Sequence, residues 1–336
     1  MEKIKNILII RNDHIGDMVL STALFREIKK KIPNSKITLI CSKLNLPLIE
    51  KNNHLNQIKE IDIPKGKFKI LINYWKMSRW IKKQKFDVGI DLRGSVMNSF
   101  FLLWFPQIQK RISRIDYHPF IKIFLTTPIK MPNKIHATDE NIRIVEESLG
   151  IKIQNSEPEI ITNKKDKEEF EEFYEKNGLK KYVCMCPLAG LENKQWPLKR
   201  WEELIKKVDK SYQIILLGVK GEEKILKELS DGRDKCQILI DFDLRLLSLL
   251  FGKSSLVIAQ DGGPMHIAWV SGAKVIEITS KTNPIIASGK YFPLNHSTIL
   301  IASEDEIEKI RSEDVLKESS KIILERKRTI PKILEF

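Results

Sequence analysis

Residues Asn6-Ile7-Leu8-Ile9-Ile10 form a short run with no polar side chain after the first, and a polar turn through Gly16 follows. A strand with one face in water alternates apolar and polar residues. A run that is apolar throughout reads as a strand covered on both faces, and hence as part of a parallel sheet. Beyond the turn, Met18, Leu20, Ala23, Leu24 and Ile28 are the apolar positions of one helix. Pro33-Asn34-Ser35 stops it, and Ile37-Thr38-Leu39-Ile40 begins the next strand. Strand, helix and strand with connections this short make a βαβ unit.

The scheme recurs. Asp87-Val88-Gly89-Ile90-Asp91 reads as a strand ending at a polar loop, with a helix over Ser95 to Trp104 behind it. In the second half, strands are expected at Tyr182 to Cys186, Gln213 to Leu217, Leu256 to Ala259 and Val275 to Ile278. Helices are expected at Leu198 to Val208, Glu222 to Leu229 and Met265 to Val270. The segment Glu157 to Lys167 is polar and aperiodic, which places a linker near residue 160. A chain of 336 residues is longer than one core usually supports. Two α/β domains follow, with binding loops at their strand C-termini and a cleft between them as the expectation.

Composition excludes several classes. With 42% hydrophobic and 30% charged residues the chain is neither disordered nor fibrous. No apolar run approaches the roughly 18 residues of a membrane span, and Arg11 interrupts the first apolar stretch, so no secretory signal is expected. Cys41, Cys184, Cys186 and Cys236 lack metal-ligand spacing and suit free thiols in a reducing cytoplasm. The net charge of +14 is unevenly spread: residues 1–150 hold 27 basic and 14 acidic side chains, against 31 and 30 in residues 151–336. The N-terminal half is therefore the one that attracts anions.

Three strand-to-helix loops carry candidate chemistry. In Arg11-Asn12-Asp13-His14-Ile15-Gly16-Asp17, Asp17 is placed to act as a general base; the plainer alternative is that Asp13 or Asp17 caps the helix and favours its dipole. In Pro187 to Pro197, Lys194 shares a loop with Gly190 and can neutralise a phosphate or simply be solvated, while Trp196 and Trp201 read as core anchors and Pro197 suits a helix start. In Gln260-Asp261-Gly262-Gly263-Pro264-Met265-His266, two glycines allow a phosphate close to the backbone at a helix start. The alternative there is a tight turn with His266 as a core histidine. Asp241 and Asp243 have the spacing of a cation-binding pair, but Asp243 fits an N-cap and no third ligand is in view. Residues 65–85 hold eight basic and no acidic side chains, with Ile70, Tyr74, Met77 and Ile81 at helical spacing and Trp75 and Trp80 beside them. Such a helix either lies on an anionic membrane or docks on the core with a solvated basic face.

These motifs in this order, with Asp91-Leu92-Arg93-Gly94-Ser95, resemble glycosyltransferase family 9, the heptosyltransferases of lipopolysaccharide core assembly, from about Ile7 to Pro284. The resemblance implies the α/β GT-B architecture: two Rossmann-like domains facing across a cleft, residues 1–160 for the acceptor and 161–336 for the nucleotide sugar. It implies Asp17 as catalytic base, Lys194 on the donor diphosphate, Glu222 near the donor ribose, and Asp261, Gly262, Gly263 and His266 around the diphosphate. Arg93 would hold an anionic acceptor, with Arg11, Asp13 and Lys134 as further acceptor-side candidates. Two departures stand out: Gly262 replaces the family's usual threonine, and Pro187 to Gly190 lacks the hydroxyl residues often found there.

The activity implied is an inverting transfer of heptose from ADP-heptose to an anionic lipopolysaccharide-core glycolipid, needing no metal or other cofactor, in the cytoplasm and at the inner membrane face. Another nucleotide sugar, a GT-B sugar-nucleotide epimerase, and a family member that binds donor without transfer are the alternatives. A nucleic-acid binder would explain the charge, but no helix-turn-helix, zinc or RNA-recognition signature is present.

Overall fold

A computed structural model describes residues 4–64, 66–132, 135–208, 210–280, 297–302, 306–324 and 332–335. Lys134 and Pro284, named above, and Lys65, the first of the basic residues counted in 65–85, lie outside them. The chain divides into two compact units, Met1–Ile161 and Thr162–Phe336.

Among the described residues, the first unit is built on a six-stranded parallel sheet of β1 (Asn6–Arg11), β2 (Lys36–Ser42), β3 (Gln57–Ile61), β4 (Val88–Asp91), β5 (Lys110–Arg114) and β6 (Thr127–Ile129). Their order is β3-β2-β1-β4-β5-β6. β1 lies between β2 and β4, with Ile7 level with Ile37 on one side and Val88 on the other. Ile7 to Ile10 are fully buried, which is why that run contains no polar residue. The strand order reverses between β1 and β4, and in open α/β sheets ligands bind in the crevice beyond the strand ends at such a point.

The single helix expected after β1 is two, α1 (Ile15–Val19) and α2 (Thr22–Lys31). The break has a local cause. Ser21 Oγ donates to the Asp17 carbonyl and Thr22 Oγ1 to that of Val19, so hydroxyls take up carbonyls near the end of α1. After α3 (Leu46–Ile49) comes α4 (Lys67–Gln84), whose Tyr74, Met77 and Ile81 pack into the core with Leu8, Ile10 and Leu102. The stripe considered above for a membrane is thus largely spent on the core. The helix expected over Ser95 to Trp104 is a π-helix at Asn98–Trp104, and α5 (Ala137–Leu149) ends at Gly150 in the left-handed conformation, φ 65°.

After α6 (Lys164–Lys176), which starts inside the polar segment read as linker, the second unit repeats the plan. Its sheet consists of β7 (Tyr182–Cys186), β8 (Gln213–Gly218), β9 (Cys236–Ile240), β10 (Leu256–Gln260), β11 (Val275–Ser280), β12 (Ser297–Ala302) and β13 (Lys332–Glu335). The order β13-β12-β11-β10-β7-β8-β9 is parallel throughout and reverses between β7 and β10. The connecting helices are α7 (Leu198–Lys207), α8 (Glu223–Ser230), α9 (Leu244–Lys253) and α10 (Gly263–Val270). Trp196 and Trp201 anchor this unit: both rings are fully buried, 5.1 Å apart and edge to face, and Trp196 Nε1 donates to the Ile310 carbonyl at 2.9 Å. Asp243 is the N-cap of α9, accepting from the amides of Arg245 and Leu246. No group of three or more His, Cys, Asp or Glu positioned for a metal occurs among the described residues.

Candidate active site

In the first unit the loops after β1 and β4 meet at the switch point. Arg11, the last residue of β1, is the hub, with only 4% of its surface exposed. Its guanidinium reaches Asp13 Oδ2 at 3.1 Å and Asp17 Oδ1 at 3.7 Å, and donates to Ser21 Oγ, the Leu92 carbonyl and Asn141 Oδ1. The N-cap of α1 is His14, without a side-chain cap, so neither aspartate is the N-cap, while Asp17 stands in the first turn, where its charge favours the helix dipole as considered above. Burial pushes the Asp13 carboxyl up, Arg11 opposes that, the Asp17 charge adds to it and Arg93 counters it. Four groups predicted for one half-site, Arg11, Asp13, Asp17 and Arg93, are therefore electrostatic neighbours, and Asp17 and Arg93 are the two that reach solvent more.

The β4 loop is folded around Asp91. Its buried carboxylate accepts from the amides of Arg93, Gly94 and Ser95 at 3.0 to 3.1 Å and from Asn98 Nδ2 at 2.9 Å. Burial still pushes its carboxyl up, against those hydrogen bonds. This turn leaves Arg93 exposed. Asn98 also joins Asn12 and Tyr74 in a buried network with contacts of 3.1 Å, which ties the β1 loop to α4 and to the π-helix. A π-turn is often found where a side chain must be aimed, and here it carries Asn98. Asn141, Ser21 and Asn98 were not found by sequence reasoning; a lone Asn or Ser in a helix carries no pattern.

In the second unit the loops after β7 and β10 meet at the equivalent point. Gln260, at the end of β10, donates from Nε2 to the Pro187 carbonyl at 2.8 Å and accepts from the Trp196 amide through Oε1. Gln195 accepts from the Ala189 amide and donates to the Pro187 carbonyl. These two glutamines set the path of the loop that carries Lys194. The Lys194 ammonium lies 2.7 Å from Asp261 Oδ2, so two residues far apart in sequence stand together. Glu277 on β11, level with Ala259 of β10, completes the group; it is 2% exposed, and Oε2 has no hydrogen-bond partner among the described residues. Burial pushes its carboxyl well up, the Asp261 charge adds to this, and Lys194 opposes it. Sequence reasoning missed Glu277 because it sits inside an otherwise apolar strand.

Gly262 is the N-cap of α10 in extended conformation, and a Cβ there would meet nothing nearer than 3.9 Å, so the lack of a threonine side chain is not imposed by space. Pro264 and His266 follow in the first turns of α10, with His266 buried. Glu222 is the N-cap of α8, and its Oε2 accepts from the Val219 amide at 2.8 Å, closing the β8–α8 turn. Its charge adds to burial in pushing the nearby Cys186 thiol up to about 12, so that thiol is no nucleophile at neutral pH.

Two doubly wound parallel sheets, each with an elaborated switch point, define the α/β fold class of GT-B glycosyltransferases. Residues 74–319 match the model of glycosyltransferase family 9 (heptosyltransferase), and the chain belongs to that family. It is a glycosyltransferase. It is 22% identical to lipooligosaccharide heptosyltransferase 2 of Haemophilus influenzae, with 92% of each chain covered. Its structure is similar to that of the glycosyl transferase family 9 protein from Veillonella parvula, with TM-score 0.82 and 21% identity over 96% of this chain and 99% of that one. It is also similar to ADP-heptose lps heptosyltransferase II of E. coli, with TM-score 0.78 and 17% identity over 95% and 98%.

Proposed function

We propose that this enzyme transfers heptose from ADP-heptose to an anionic lipopolysaccharide-core glycolipid, with inversion and in one displacement, at the inner face of the cytoplasmic membrane. Asp17 takes the proton from the acceptor hydroxyl as that oxygen attacks the anomeric carbon. The bond to the nucleoside diphosphate breaks as the new glycosidic bond forms, and negative charge grows on the leaving phosphate. Lys194 and the amides of Gly262 and Gly263 stabilise that charge, with His266 and Asp261 shaping the turn around it. In this mechanism they stand where other transferases use a metal ion, and no other cofactor takes part. Glu222 faces the donor ribose. On the acceptor side Arg93 pairs with phosphate or carboxylate, while Arg11 and Asp13 hold the loop on which Asp17 stands.

The observation that supports this reading most directly is the position of Asp17: a partly exposed carboxylate at the switch point of the basic half, steadied by Arg11 and not used as a helix cap. The ADP-heptose named for the E. coli structure supports the donor, and the lipooligosaccharide named for the H. influenzae relative supports the acceptor class. Asp17→Ala should lower turnover on the order of 10²-fold or more while leaving ADP binding, measured by calorimetry, nearly unchanged. Normal turnover of that variant would remove Asp17 from the mechanism; hydrolysis or epimerisation of the sugar nucleotide without acceptor would point to the epimerase class.

A further inference from the structure

α4 carries a second apolar stripe that the core does not use. Phe68, Leu71, Ile72 and Trp75 are spaced i, i+3, i+4, i+7, so they share one face, and they are 76%, 43%, 36% and 45% exposed. This face is separate from the Tyr74, Met77 and Ile81 face that packs inward. The π-helix Asn98–Trp104 packs beside α4, with Tyr74 and Phe101 ring centroids 6.0 Å apart. The 3₁₀ helix Pro119–Phe124 packs on the π-helix in turn, with Phe124 5.3 Å from Phe100 and 5.7 Å from Trp104. These neighbours expose Trp104, Phe105, Phe120 and Ile123, the last two 54% and 67% exposed. Isolated exposed apolar residues need no explanation, but rows of them on three adjoining elements do.

The charge around them selects the occupant. Between Asp62 and Asp87 the chain has no acidic residue, while Lys67, Lys69, Lys76, Arg79, Lys82 and Lys83 lie exposed along α4. The Arg79 guanidinium stands 4.9 Å from the Trp75 ring centroid, placing a cation at the edge of the apolar stripe. A second copy of this chain would set cation against cation on such a face. An anionic bilayer supplies what both components lack: acyl chains for the aromatic and aliphatic side chains, and phosphate for the lysines near the surface.

We infer that the outer face of α4, together with the exposed ends of the π-helix and the 3₁₀ helix, is a docking surface for an anionic phospholipid bilayer. The inference deepens the proposed function and rests on it for the presence of the acceptor in a membrane, but the vesicle-binding measurement that decides it needs neither donor nor acceptor. The full chain is sedimented with vesicles of phosphatidylcholine, with and without 30% phosphatidylglycerol. Binding to the anionic vesicles and its loss in pure phosphatidylcholine are expected. Phe68→Ser/Trp75→Ser and Phe120→Ser/Ile123→Ser should each weaken binding on the order of 10-fold or more, with unchanged circular dichroism and thermal unfolding and unchanged turnover on a short water-soluble acceptor. No binding to the anionic vesicles, or undiminished binding by both double variants, would overturn the inference. So would concentration-dependent dimerisation that these variants abolish, since it would assign the face to a second copy. Vesicle binding with no transfer to any acceptor would instead count against the proposed function and leave the docking surface standing.

Discussion

Glu277 shows how much one buried group can set the behaviour of a site. In the unfolded chain its carboxyl ionises near 4.5; in the folded chain, burial and the Asp261 charge hold the proton to a much higher pH, with Lys194 opposing them. Its contribution to stability is therefore intact below about pH 4.5 and is lost as pH climbs towards the folded value. Glu277→Gln removes that dependence. In urea titrations the variant should gain on the wild type by roughly 1 kcal/mol for each pH unit crossed in that window. Equal pH profiles of the two proteins would mean that Glu277 is ionised in the native state. Asp91 has the same sign of shift but a different job, because its oxygens are consumed by backbone amides and by Asn98.

At the scale of elements, the site depends on loops that helices and strands hold from behind. The β4 loop turns at Gly94, with φ +77°, where a Cβ would stand 2.7 Å from Arg114 Cγ and 3.0 Å from the Arg114 carbonyl. Gly94→Ala should therefore cost on the order of 2 kcal/mol or more in chemical denaturation. It should also raise the acceptor KM several-fold more than the donor KM, because the turn presents Arg93; equal effects on both would argue against an acceptor role for this loop. The central strands β1, β4, β7, β8 and β10 were legible as apolar runs because both faces are covered. Strands β3 and β9, at sheet edges, and the short β5 and β6 were not: Gln57-Ile58-Lys59-Glu60-Ile61 keeps charged side chains where the edge meets water, while Lys110-Arg111-Ile112-Ser113-Arg114, inside the sheet, has a single apolar residue and buries Arg114 in an ion pair with Glu140.

For the whole molecule the division of charge matters more than its sum. Nearly all of the +14 belongs to residues 1–150, whereas the second unit engages Lys194 with Asp261 and Arg245 with Asp166 and Asp243. An anionic acceptor would thus be drawn by a field, and the donor by a few placed groups. Raising ionic strength from about 50 to 500 mM shortens the Debye length from roughly 14 to 4 Å. The KM for an anionic acceptor should rise several-fold over that range, while the dissociation constant for ADP changes much less. Parallel salt dependence of the two would remove the division of labour between the units.

The sequence by itself determined the parallel α/β plan, the two units and the loops that carry the candidate chemistry, because buried central strands and strand-to-helix turns impose local patterns of apolar runs, Gly and Pro. Only the tertiary structure decided which side chains meet. Lys194 and Asp261 are 67 positions apart, and Arg11 and Asn141 are 130 apart. Glu277 and the outer stripe of α4 were likewise beyond reach of pattern, since an acid inside a strand and a second apolar face on a helix acquire meaning only once the neighbours that bury one and leave the other exposed are in place.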